Sequence, residues 1–145
     1  MRKATLIAVV ASLMLSAASS ADVLREIWWQ NVSIDAAINL VQSGTPADQV
    51  DVLAEPTWAD IADYYVARLS GYALVPASGD YTFYVASDDY SRLYVSQNDN
   101  MADAVQVAYV DGWTGSQAWT SYASQKSAPM SLTEGQLIAF YAVMQ

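Results

Sequence analysis

One helical period and several strand periods run along this chain. In "SIDAAINLVQSG", Ile34, Ala37, Ile38 and Val41 recur at i, i+3, i+4 and i+7, the spacing of one helix face. Ser33 stands where a side chain caps a helix start, and Gly44 where a helix stops. The stretch predicts a short helix packed on the side of a sheet. Ahead of it, "REIWWQNV", Arg25 to Val32, reads as a strand. Successive side chains of a strand point to opposite faces, so one of Trp28 and Trp29 is core and the other is exposed or separately covered. "TPADQVDVLAEPT" holds two prolines and no clear period and reads as a connecting loop, with room for a helical turn over Trp58 to Asp63.

From Tyr64 onward the pattern is β. "YYVARLSGYALV" is an alternating, apolar-rich run, and "PASGD" after it is a turn cluster. In "YTFYVA", Tyr81, Phe83 and Val85 alternate with Thr82, Tyr84 and Ala86. "SDDYS" forms a second corner and "RLYVSQ" a returning strand, which predicts a hairpin. "QVAYVDGW" ends a further strand at Gly112, and a turn at Glu134-Gly135 precedes a last strand, Leu137 to Met144. Short strands separated by turn residues predict an all-β fold, an antiparallel sandwich or barrel with one short helix near the N-terminus. The last strand raises a question of its own: what pairs with its second side.

The first residues, "MRKATLIAVVASLMLSAASSAD", do not belong to that pattern. Arg2 and Lys3 precede an apolar run, Ala4 to Leu15, too short to span a bilayer, and Ser19 and Ala21 fit a cleavage site. Residues 1–21 are expected to be a secretory signal peptide. The mature domain is then 22–145, secreted or on the cell surface, with no membrane insertion once the leader is removed.

Composition narrows the chemistry. The 145 residues are 54% hydrophobic, with 10 Tyr and 5 Trp against 2 Phe. Tyr and Trp combine apolar area with a polar handle, which suits half-wet binding faces. With no Cys and no His, disulfides, thiolate nucleophiles and imidazole bases are excluded. The remaining carboxylates, hydroxyls and amides are hard oxygen donors that suit calcium or magnesium. Without Arg2 and Lys3, four cations face 15 acids, a charge of −11. That surface is wrong for nucleic acid and for anionic membranes, and compatible with neutral sugars and divalent cations. No nucleophile motif or activating base is visible, so no enzymatic activity is expected.

The corner of "GDYTFYVASDDYSRLYVSQ" places two acids, Asp88 and Asp89, side by side. Asp and Ser are ordinary turn residues because they bond nearby backbone N–H groups. A cation held by both carboxylates, or an ion pair with Arg92, would equally offset their repulsion. Aromatic residues add a second candidate feature: Trp113, Trp119 and Tyr122 lie in one loop region, either as a sugar-binding face or as a closure of the sandwich edge. The polar run Asn98, Asp99, Asn100 is a solvated turn, or a set of extra oxygen ligands if its loop folds back to the corner.

The same stretch resembles the central signature of the protective-antigen-14 domain family, an all-β module of secreted and surface proteins. The shared features are Gly79-Asp80-Tyr81-Thr82-Phe83, then Ser87-Asp88-Asp89, then an alternating strand. "REIWWQNV", "RLSGYALVPASGDYTF", the Trp-rich loop and the Ser-x-Pro-x-x-Leu-x-x-Gly run from Ser127 to Gly135 agree, so the resemblance covers Arg25 to Met144. In the sugar-binding branch of that family the paired aspartates are joined by a cis peptide and chelate a calcium that also touches sugar hydroxyls. The resemblance therefore implies a calcium-assisted, lectin-like module with Asp88 and Asp89 as metal ligands. It implies carbohydrate contacts from Asp88, Asp89, Tyr90, Trp113 and Trp119, and a place among other domains of a longer chain. Two departures stand out. Tyr90 replaces the small residue that often follows the acid pair, and the family's last Gly-rich loop and strand are expected beyond Gln145. A spacer domain that binds nothing is the alternative.

Overall fold

The computed structural model describes residues 7–8, 22–56, 58 and 61–145. Most of the expected leader, residues 1–6 and 9–21, lies outside the described residues, as do two positions, 59 and 60, of the predicted turn over Trp58 to Asp63. The strands are β1 (Ile7–Ala8), β2 (Val23–Trp28), β3 (Gln49–Leu53), β4 (Val66–Leu74), β5 (Gly79–Tyr81), β6 (Val85–Ala86), β7 (Ser91–Val95), β8 (Val105–Val110), β9 (Met130–Leu132) and β10 (Leu137–Met144). One α-helix, α1, spans Ile34–Gln42. The fold is all-β and sandwich-like, as the alternation predicts.

Six strands form the main sheet in the order β3-β2-β4-β10-β7-β8, and every pairing is antiparallel. β10, the most apolar run, lies inside this sheet. Phe140 pairs with Gly71 on one side and with Val95 on the other, which answers the question of its second neighbour. Opposite lies a smaller layer made of β5 with β9, β6 with β1, and a bridge between Tyr84 and Lys126.

Alternation decides what fills the space between the layers. Tyr81, Phe83 and Val85 from the small layer meet Ile27, Leu69, Leu93, Phe140 and Met144 from the sheet, all of them buried. Close packing requires Gly71, because a Cβ there would come within 2.9 Å of a Val23 methyl and 3.1 Å of the Phe140 ring. Arg25 closes one flank, ion-paired with Asp51 at 2.7 Å and lying over the Trp58 ring.

The other face of the sheet is partly covered by α1. Ser33 caps the helix through the Ala36 N–H, and Gly44 leaves it at φ 72°. Ala37 is fully buried against Trp28, Val66 and Val143. Trp28 is 2% exposed and Trp29 48%, so the adjacent indoles divide between core and solvent as an extended strand requires.

Two expectations change. "TPADQVDVLAEPT" contains β3, an edge strand registered on β2. Its period is hard to see because it is inverted: Val50 and Val52 point to solvent while Asp51 and Leu53 turn inward. The second change concerns "YTFYVA" and "RLYVSQ", which do not form a hairpin. β6 belongs to the small layer, and β7 pairs with β10 and β8 in the large sheet. The acidic corner therefore carries the chain from one layer of the sandwich to the other. Periodicity reports which face of a strand is buried, not which strand is its neighbour.

Candidate functional site

The corner is a crossover whose backbone is fastened from beneath. Ser87, fully buried, donates from its hydroxyl to the Asp89 carbonyl at 2.7 Å and lies 2.6 Å from the buried Ser91 hydroxyl. The Ser87 N–H donates to Thr114 Oγ1 at 3.0 Å, and the Thr114 N–H returns a bond to the Ser87 carbonyl at 2.7 Å. Ser and Thr occupy these positions because each short hydroxyl satisfies a buried backbone group that no sheet ladder reaches. The peptide between Asp88 and Asp89 is cis, in line with the resemblance. Both acids are half-buried, and Tyr90 beyond them is 41% exposed.

Trp113 comes to the corner from the far side. β8 ends at Val110, Gly112 turns the chain at φ 131°, a region closed to most side chains, and Trp113 then bridges antiparallel to Asp88. The indole is 61% exposed. The Tyr122 hydroxyl, in an exposed ring, donates to the Trp113 carbonyl at 3.3 Å. Trp113 and Tyr122 thus stand in solvent at the corner and do not close the sandwich edge. Trp119 is half-buried further along the same loop.

Gln125, which the sequence pattern does not single out, holds that loop in place. Its side chain is fully buried. The amide donates to the carbonyls of Val85 at 2.8 Å and Ala118 at 2.7 Å, and its oxygen accepts from the Tyr122 N–H at 2.8 Å. A lone Gln in a polar loop carries no sequence signal for this role, because the bond that ties the loop to the small layer goes to Val85, 40 residues away, while the other two partners are local.

Arg92 is engaged by Asp111 at 2.7 Å, by the carbonyls of Ser91 and Val110, and by the Tyr109 ring below its guanidinium. The basic residue nearest the acids in sequence thus has its salt bridge elsewhere. The run Asn98 to Asn100 lies at the opposite end of β7 from the corner, and five residues of strand separate the two by about 16 Å. Its side chains bond to the residues that follow, the Asn98 amide donating to the Asp103 carboxylate at 2.9 Å and the Asn100 oxygen accepting from the Ala102 N–H at 3.1 Å, so it is a locally capped turn and not part of the acidic corner.

The donor chemistry of the corner fits a hard cation, since Asp88 and Asp89 offer anionic oxygens from one point of the chain. Among the described residues no group of three or more acidic side chains gathers around a common point. Hydroxyl, carbonyl, water or ligand oxygens would complete a shell begun by the two carboxylates.

Comparison with known proteins gives the family. The family described as "PA14 domain" matches residues 20–137. Fibrocystin-L of Mus musculus is 34% identical over 88 residues, covering 55% of this chain and 2% of that protein. Fibrocystin-L of Homo sapiens is 32% identical over 88 residues, with the same coverage of 55% and 2%. The chain therefore spans a small fraction of the curated relatives it matches, and the matched segments are parts of much longer proteins. No solved structure matches significantly. No helix among the described residues is long and apolar enough to cross a membrane.

Proposed function

The chain belongs to the PA14 domain family, and from that premise we propose that it is a secreted or surface-exposed carbohydrate-binding domain, lectin-like and non-catalytic, working beside other domains. The observation that carries this reading is the bridge between Asp88 and Trp113, which puts an exposed indole beside a pair of carboxylates. Sugars need both partners: an apolar ring face for their C–H face and fixed oxygen acceptors for their hydroxyls. Asp88 and Asp89 would hold calcium, and the bound ion would supply a hard centre for sugar hydroxyl oxygens. Trp113 and Tyr90 provide ring faces, and the half-buried Trp119 further along the Trp loop is a further sugar contact in this reading.

A calcium titration followed by glycan-array binding tests the reading. Calcium is expected to raise the thermal midpoint of the wild type and to be required for glycan signal, with both effects lost in Asp88→Asn. Equal glycan signal from wild type and Asp88→Asn would remove the calcium-bridged site. A spacer role is the second reading, favoured by the small fraction of the Fibrocystin-L proteins that the chain spans. It predicts no glycan signal and no calcium effect.

A further inference from the structure

Register places more aromatic residues at the corner's end of the sheet than the corner itself uses. Trp28 pairs with Val66, Ala67 with Met144, Met144 with Ser91, and Ser91 with Val110. The end of β2, the start of β4, the end of β10, the start of β7 and the end of β8 thus share one rim. The residues just past those ends are Trp29, Tyr64-Tyr65, Gln145, Tyr90 and the Asp111–Trp113 turn. Four of them carry exposed rings: Trp29 at 48%, Tyr64 at 66%, Tyr90 at 41% and Trp113 at 61%. From β2 to β8 the rim crosses four strand spacings, about 19 Å.

The far end of the rim is built as firmly as the near one. Trp29 rests against Tyr65, ring centroids 6.1 Å apart, and Tyr65 is itself buried and bonded through its hydroxyl to Trp58 Nε1 at 3.1 Å. The Trp29 N–H is fixed by Asp48 at 2.9 Å. An indole held from below and open above is a pre-organised stacking platform, which lowers the ordering cost of binding.

We propose that this rim is an extended binding track for a polysaccharide chain, with Trp29 and Tyr64 as distal subsites and the acid corner with Tyr90 and Trp113 as the proximal one. The inference rests on the carbohydrate reading above and adds the ligand class: a neutral polymer several sugars long, not a single terminal sugar. A single sugar ring cannot reach from Trp113 to Trp29. Neutrality follows from charge, since a chain with a net charge of −9 repels polyanionic glycans.

Calorimetry with neutral gluco-, manno- and galacto-oligosaccharides, from disaccharide to octasaccharide and with calcium present, tests the track. For the series that binds, affinity should climb with length until the rim is spanned. Trp29→Ala and Tyr64→Ala should each weaken the octasaccharide by about tenfold, the loss of roughly one stacking face, and leave the disaccharide unchanged. Tyr64→Ala guards against misfolding, because Tyr64 is the most exposed of the four rings. Wild-type affinity that is flat with length, or octasaccharide binding that survives both distal substitutions, overturns the track and leaves the corner site standing. No binding at any length overturns the carbohydrate reading and the track together.

Discussion

Asp88 and Trp113 sit in different loops yet face each other across an isolated antiparallel bridge, with the Tyr122 hydroxyl bonded to the Trp113 carbonyl behind it. The pairing exists because the acidic corner crosses between layers just where β8 runs out. Ser87 and Thr114, one residue along on each side, lock the crossing with reciprocal bonds. A hairpin at the same sequence would have turned the acids away from the Trp loop.

If the two acids hold calcium, the ion must stabilise the native state by mass action. At about one hundred times its dissociation constant the gain is about 2.7 kcal/mol. Thermal unfolding with and without calcium should show that shift in the wild type and none in Asp89→Asn. A chelator should reverse it.

Gln125→Ala should loosen the Trp loop. It leaves the buried Val85 carbonyl without its donor and frees the Tyr122 N–H. The expected cost is about 2–3 kcal/mol in urea unfolding. Because the loop presents Trp113, glycan affinity should fall as well. Trp113→Ala, at an exposed position, should by contrast leave stability within about 0.5 kcal/mol of wild type while weakening glycan binding.

The interlayer core predicts two larger losses. Phe83→Ala empties a side chain 1% exposed at the centre of the small layer and should cost about 3–5 kcal/mol. Gly71→Ala should cost about 1–3 kcal/mol, because the new methyl must displace Val23 and the Phe140 ring. Denaturant midpoints measure both.

Acid should release the Arg25 flank. The hydrogen bonds from Arg25 hold the Asp51 carboxyl below its usual range, with Gln49 adding to the effect and partial burial opposing it. A depressed carboxyl contributes stability above its unfolded pKa and loses it as pH falls through the folded value. The wild type should therefore lose stability below about pH 4 more steeply than Asp51→Asn. Parallel pH profiles for the two proteins would show that the pair contributes nothing.

The residues at which sequence reasoning succeeds share one property: their signal is local. Ser33 and Gly44 bound α1 because caps depend on their own turn of backbone. Trp28 and Trp29 split between faces because extended backbone alternates whatever lies beside it. Leu137 to Met144 reads as a strand from its own apolar run. The failures concern partners. Val50 and Val52 read as loop because an edge strand with its apolar side outward breaks the usual alternation. Asn98 to Asn100 can be drawn near the corner on paper, and five residues of β7 put it at the other end.

By itself the sequence determined a β-rich, acidic chain lacking His and Cys, one capped helix, the alternation of Tyr81, Phe83 and Val85 with Thr82, Tyr84 and Ala86, and the adjacency of Asp88 and Asp89. Only the tertiary structure decided that the acids lie on a crossover, that Trp113 is registered against Asp88, that Gln125 anchors the loop between them, and that Trp29 and Tyr64 share their rim. The division is physical. Burial and capping follow from each segment's own periodicity and backbone, whereas strand order and register follow from which surfaces pack best after the whole chain has collapsed.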